Sequence, residues 1–94
     1  MAYGYRAVFK ILSNYYRVYK LTTIRKMISR WAPENENNTA AYVSLVSKYS
    51  GIPADDIIDI NNKELMIRIV AGTSRVENGR EADMSDVIAG WSLL

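Results

Sequence analysis

SRWAPENENNTAAYVS, residues 29–44, decides how this chain is divided. An apolar pattern at helical spacing runs into Trp31, and Pro33 stops it, because the residue before a proline is pushed out of helical geometry. Two acids and three asparagines fill residues 34–38. A second apolar pattern then begins, with Asn37 or Asn38 placed to accept a bond from an orphan amide of the new helix. The stretch therefore reads as a corner between two helices.

Working back from the corner, Ile24, Met27, Ile28 and Trp31 recur at helical spacing behind a cap at Thr22 or Thr23. Before them, residues 2–19 place Ala2, Tyr5, Val8, Phe9, Leu12, Tyr15, Tyr16 and Tyr19 on one helical face. Working forward, Tyr42, Leu45, Val46 and Tyr49 line a third helix, and Gly51 can end it in left-handed geometry. Residues 54–58 suit a short helical turn. Asn61 or Asn62 opens a fourth helix with a stripe of Leu65, Met66, Ile69, Val70, Thr73 and Val76, ended by Asn78 and Gly79. A last short helix over residues 85–91 is expected to bury Val87, Ile88 and Trp91. No segment alternates like a strand. The expected fold is all-α: one domain over residues 1–94, a small bundle of about five helices.

Ninety-four residues are enough for one modest core. The absence of cysteine and histidine removes disulfides, thiol nucleophiles, a zinc site of the usual ligand types and a histidine base. No apolar run approaches the roughly 20 residues that a membrane-spanning helix needs. The start of the chain lacks the continuous apolar core of a signal peptide, and the location stays open. No cofactor is implied. The asparagines and aspartate of residues 59–64 do not fit a twelve-residue calcium loop and read as a helix cap.

The net charge of +2 is unevenly spread. Residues 1–30 hold Arg6, Lys10, Arg17, Lys20, Arg25, Lys26 and Arg30 and no acid, whereas all ten acids lie in residues 31–94. Such a front suits an anionic partner, or else two halves whose charges face each other. The tyrosines among these bases could stack on nucleic acid. Half of them are expected in the core, so nucleic acid is not the partner favoured.

Three pieces stand out: GYRA at residues 4–7, TIRKMISRWAPENENNTAAY at residues 23–42 and RVENGREA at residues 75–82. In register, they resemble a family of small phage and prophage virion proteins described as structural or lysozyme-like and linked to peptidoglycan degradation. The middle piece is similar to a T-I-x-x-x-I-x-R-W-A-P-P-x-E-N-x-T-x-x-Y pattern, with Glu34 in place of the second proline. Family members often carry an upstream N-P-G-N-I-R segment. This chain begins just before the GYRA match, which implies a shortened copy.

The resemblance implies a fold lysozyme-like in part and a protein that interacts with peptidoglycan, as a virion structural piece or a truncated, weakly active or inactive version. The alternative is an active glycosidase or lytic transglycosylase with Glu77 as general acid. Such an acid works from a partly apolar cleft. Trp31, Glu36, Asn37 and Asn78 would then border the glycan, an aromatic platform with a few polar groups. Each also has a plainer role: Asn37 as a cap, Glu36 paired with Arg30, Trp31 as a buried anchor, Glu77 as a solvated last-turn residue. A shortened domain would expose apolar surface and favour a homodimer. The second alternative is a small basic helical module that binds nucleic acid.

Overall fold

Each helix begins and ends where its local chemistry directs. The computed structural model describes residues 2–94 as α1 (Ala2–Arg17), α2 (Ile24–Trp31), α3 (Thr39–Ser50), α4 (Lys63–Asn78) and α5 (Met84–Ser92), with no strand among the described residues. The all-α expectation holds. Thr23 caps α2, its Oγ1 accepting from the Lys26 amide at 3.2 Å. Asn38 rather than Asn37 caps α3, through the Ala41 amide at 3.1 Å. Asn62 caps α4 through the Leu65 amide at 3.1 Å. Gly51 and Gly79 close α3 and α4 at φ 73° and 70°, left-handed backbone that a Cβ would strain.

Three boundaries differ from the sequence reading. Helix α1 stops at Arg17, and the Leu21 amide returns to the Tyr15 carbonyl at 3.1 Å. Residues 54–58 form no helix. They lie against the start of α2, where the Arg25 amide donates to the Ala54 carbonyl at 3.0 Å and the Ile58 amide to the Thr22 carbonyl at 2.9 Å. Helix α5 starts earlier than expected because Asp83 is its cap, accepting from the Ser85 and Asp86 amides.

The core is shared by all five helices. It is built on Phe9 and Leu12 of α1, Ile28 of α2, Val46 of α3, Met66 and Ile69 of α4, and Val87 of α5, all buried. Each such side chain contributes about 1.5–3 kcal/mol by leaving water. The widest contacts join α3 to α4 and α1 to α5. At the second pair the helices almost touch: a Cβ on Gly90 would lie 2.7 Å from the Cβ of Tyr5 and 2.9 Å from the Ala2 carbonyl. Trp91 meets the ring of Phe9 edge-on at 5.3 Å. Ile88 corrects the expectation, being 42% exposed, because α1 and α4 cover only one side of α5. No buried side-chain polar atom among the described residues lacks a hydrogen-bond partner. Among the described residues no helix is long and apolar enough to cross a membrane.

Charges of the two halves seldom pair directly among the described residues. Among the described residues Arg25 is the front base with a carboxylate partner, Asp55, at 2.7 and 3.1 Å in a two-point, exposed pair. Arg30 turns away from Glu36 and lies over the ring of Tyr19 at 3.8 Å and that of Tyr15 at 5.4 Å.

Candidate functional site

Three helix ends meet at one place: the last residue of α2, the first turn of α3 and the last turn of α4. They bring together Trp31, Tyr42 and Glu77. The Tyr42 hydroxyl donates to Glu77 Oε1 at 2.7 Å. The Trp31 indole N–H points at both, 3.1 Å from the Tyr42 oxygen and 3.4 Å from Glu77 Oε1. The corner is locked next to this cluster by the buried Thr39 hydroxyl, which donates to the Ala32 carbonyl at 2.5 Å.

Trp31 and Glu77 of this cluster stand in the wall of an open cleft of about 840 Å³, whereas the buried Tyr42 does not line it. Trp31, Glu77, Asn78, Tyr5, Ser74 and Asp83 are among its lining residues. Asn78 donates its amide to the Ser74 carbonyl at 3.0 Å and to the Ser74 hydroxyl at 3.2 Å. The Ser74 hydroxyl in turn pairs with that of Tyr5 at 2.9 Å. The cleft thus offers a half-buried indole, a carboxylate and a row of polar groups fixed by the ends of α4 and α1.

The sequence candidates separate into two groups. Trp31, Glu77 and Asn78 share the cleft. Glu36 and Asn37 do not line it. They are exposed on the turn after α2, where both their amides return to the Pro33 carbonyl at 3.1 Å and the Asn37 side chain donates to the same oxygen at 3.3 Å. Trp31 is only partly buried and keeps surface for a ligand.

Tyr42 was missed as a site residue, since its helical position reads as core and its ring is indeed buried. A signal was available: a core position that uses Tyr instead of Phe needs a partner for the hydroxyl. Burial pushes the Tyr42 phenol well above its usual range, and donation to Glu77 adds to that, while the bond received from Trp31 works the other way. Tyr42 therefore stays protonated and remains a donor. Among the other cleft carboxylates, Asp83 is held below the usual range, first by the Ser85 hydroxyl at 2.6 Å and then by backbone amides of α5.

Chemically, Glu77 Oε1 is committed as an acceptor. Both of its donors address that one oxygen, which leaves Oε2 without a protein donor among the described residues. Oε2 can accept from a ligand hydroxyl. Among the described residues no group of three or more acidic side chains is placed to hold a metal ion.

Protein P5 of Pseudoalteromonas phage PM2 is 36% identical to this chain over 77 residues, 82% of the chain and 46% of P5. The chain is thus related to a phage protein and spans about half of that relative's length. No family model matches the chain.

Proposed function

We propose that this phage-related protein binds the glycan of peptidoglycan in the cleft between α1, α4 and the end of α2, acting as a virion structural or wall-binding piece with little or no turnover. The observation that carries the reading is the pairing of Trp31 and Glu77 in the cleft wall, both hydrogen-bonded to the buried Tyr42 hydroxyl. Sugar sites pair an aromatic face with a few fixed polar groups. Here the Trp31 indole supplies the face, while Glu77 Oε2, Asn78 and the Tyr5 and Ser74 hydroxyls supply acceptors and donors. The lysozyme-like likeness points to the same polymer.

A second reading, an active glycosidase, is favoured by Glu77 itself. It stands in the last turn of α4 beside an aromatic wall, with one oxygen able to carry a proton. A general acid of this kind protonates the leaving oxygen of the glycosidic bond.

Co-sedimentation with purified peptidoglycan sacculi tests both. Intact protein is expected in the pellet, and the double variant Glu77→Gln, Asn78→Ala is expected to stay in the supernatant with a melting curve close to that of the parent. Clearing of a sacculus suspension that Glu77→Gln abolishes establishes the enzyme reading. Clearing that survives the substitution removes Glu77 as the acid. Neither sedimentation nor clearing overturns the glycan proposal.

A further inference from the structure

The opposite flank of α1 carries a second groove that shares no lining residue with the Glu77 cleft. It consists of two adjacent concavities of about 510 and 520 Å³, with Arg17, Ile60 and Asn61 lining both. One wall is the exposed stripe of α1, with Lys10, Asn14 and Arg17 at helical spacings of four and three residues. Lys20, just beyond the helix, extends the same wall. The other wall is the segment before α4.

Two features make the groove more than a solvated helix face. Its three cations have no carboxylate partner among the described residues, and Lys20 Nζ is occupied only by the Arg17 carbonyl at 3.0 Å. Its single acidic side chain, Asp59, turns back to accept from the Asn61 amide at 2.9 Å. Each concavity also contains a partly buried aromatic ring, Tyr16 in one and Trp91 in the other. Unpaired cations, two rings and the amides of Asn14 and Asn61 therefore lie along two neighbouring concavities.

We infer that this groove binds single-stranded nucleic acid, with Lys10, Arg17 and Lys20 on the phosphates and Tyr16 and Trp91 as stacking platforms for bases. A positively charged groove combined with aromatic rings that bases can reach is the arrangement that holds single strands without reading their sequence. A duplex keeps its bases stacked inside and cannot use the rings. An anionic lipid surface is the competing partner, since Ile11 of that helix and Val18 just after its end are exposed. A flat bilayer would reach the rim of a groove but not rings recessed between two walls. The sequence alone disfavours nucleic acid because the aromatics of α1 read as core; a half-buried Tyr16 and a Trp91 brought from α5 change that balance.

Fluorescence anisotropy with a labelled oligothymidylate tests the inference on the whole chain. Three phosphates neutralised give a slope of log K against log salt of about −2, a loss of about 20-fold between 50 and 200 mM salt. The double variant Lys10→Gln, Arg17→Gln is expected to bind far more weakly, with the slope reduced to about −0.7, and to melt like the parent because both side chains are exposed. Tyr16→Leu is expected to weaken single-strand binding without changing the slope. Equal affinity for duplex DNA, unchanged binding in the double variant, no binding in 50 mM salt, or binding to anionic phospholipid vesicles without binding to the oligonucleotide would each overturn the inference. None of these outcomes touches the glycan cleft.

Discussion

Replacing Tyr42 by Phe removes one oxygen and leaves the buried ring in place. That oxygen donates to Glu77 at 2.7 Å and accepts from Trp31 at 3.1 Å. A hydrogen bond to a charged group contributes about 1.5–3 kcal/mol. Glu77 is exposed, so water replaces part of the loss, and the Trp31 N–H still has Glu77 Oε1 within 3.4 Å. The expected cost is therefore nearer to about 1 kcal/mol, a drop in Tm of about 4–8 °C for a domain of this size.

The pH dependence separates this from a simple packing defect. The folded protein holds the Tyr42 proton well above the usual phenol range, whereas the unfolded chain releases it near pH 10. A group whose folded pKa is raised stabilises fully below its unfolded pKa and loses that contribution as pH rises through the folded value. The advantage of the parent over Tyr42→Phe is thus constant at neutral pH and shrinks above about pH 10. Thermal melts followed by circular dichroism from pH 6 to 11 would show the two curves converging. Equal Tm at pH 7, or parallel curves through pH 11, would refute the reasoning about this hydroxyl.

Gly90→Ala places a Cβ against the backbone of α1, and overpacking of this kind costs about 1–3 kcal/mol, measurable as a lower urea midpoint. Asn62→Ala removes the α4 cap and is expected to cost about 0.5–2 kcal/mol in the same experiment, with Asn62→Asp retaining most of the stability. Asp55→Asn breaks the pair with Arg25, which holds the Asp55 carboxyl below its ordinary value. A depressed carboxylate stabilises above its unfolded pKa and loses the effect as pH falls through the folded one. The parent is therefore expected to melt above Asp55→Asn at pH 7, and the gap to close as pH drops below about 4, as scanning calorimetry would record.

The helices were legible because their signals are local. Thr23, Asn62, Gly51 and Gly79 act within one turn of their own position, and apolar spacing alone orders the stripes of α2, α3 and α4. The segment at residues 54–58 was misread because its amide and carbonyl partners, Arg25 and Thr22, lie about thirty residues earlier, where no local pattern reaches. Ile88 fits an inward spacing, yet which side of α5 is covered depends on how α1 and α4 are placed. The site was legible only in part. The quoted motifs pointed to Trp31, Glu77 and Asn78, which the fold brings into one cleft, and to Glu36 and Asn37, which it leaves on the outer turn. Tyr42 escaped because a helical stripe does not distinguish a ring wanted for packing from one wanted also for its hydroxyl.

The most direct test of the glycan cleft is a 15N-resolved NMR titration with a soluble peptidoglycan disaccharide. Shifts that saturate and centre on the Trp31 indole N–H and the Asn78 side-chain amide are the expected result. Unmoved signals at both groups, or shifts confined to α1 residues 10–17 on the opposite flank, would contradict it.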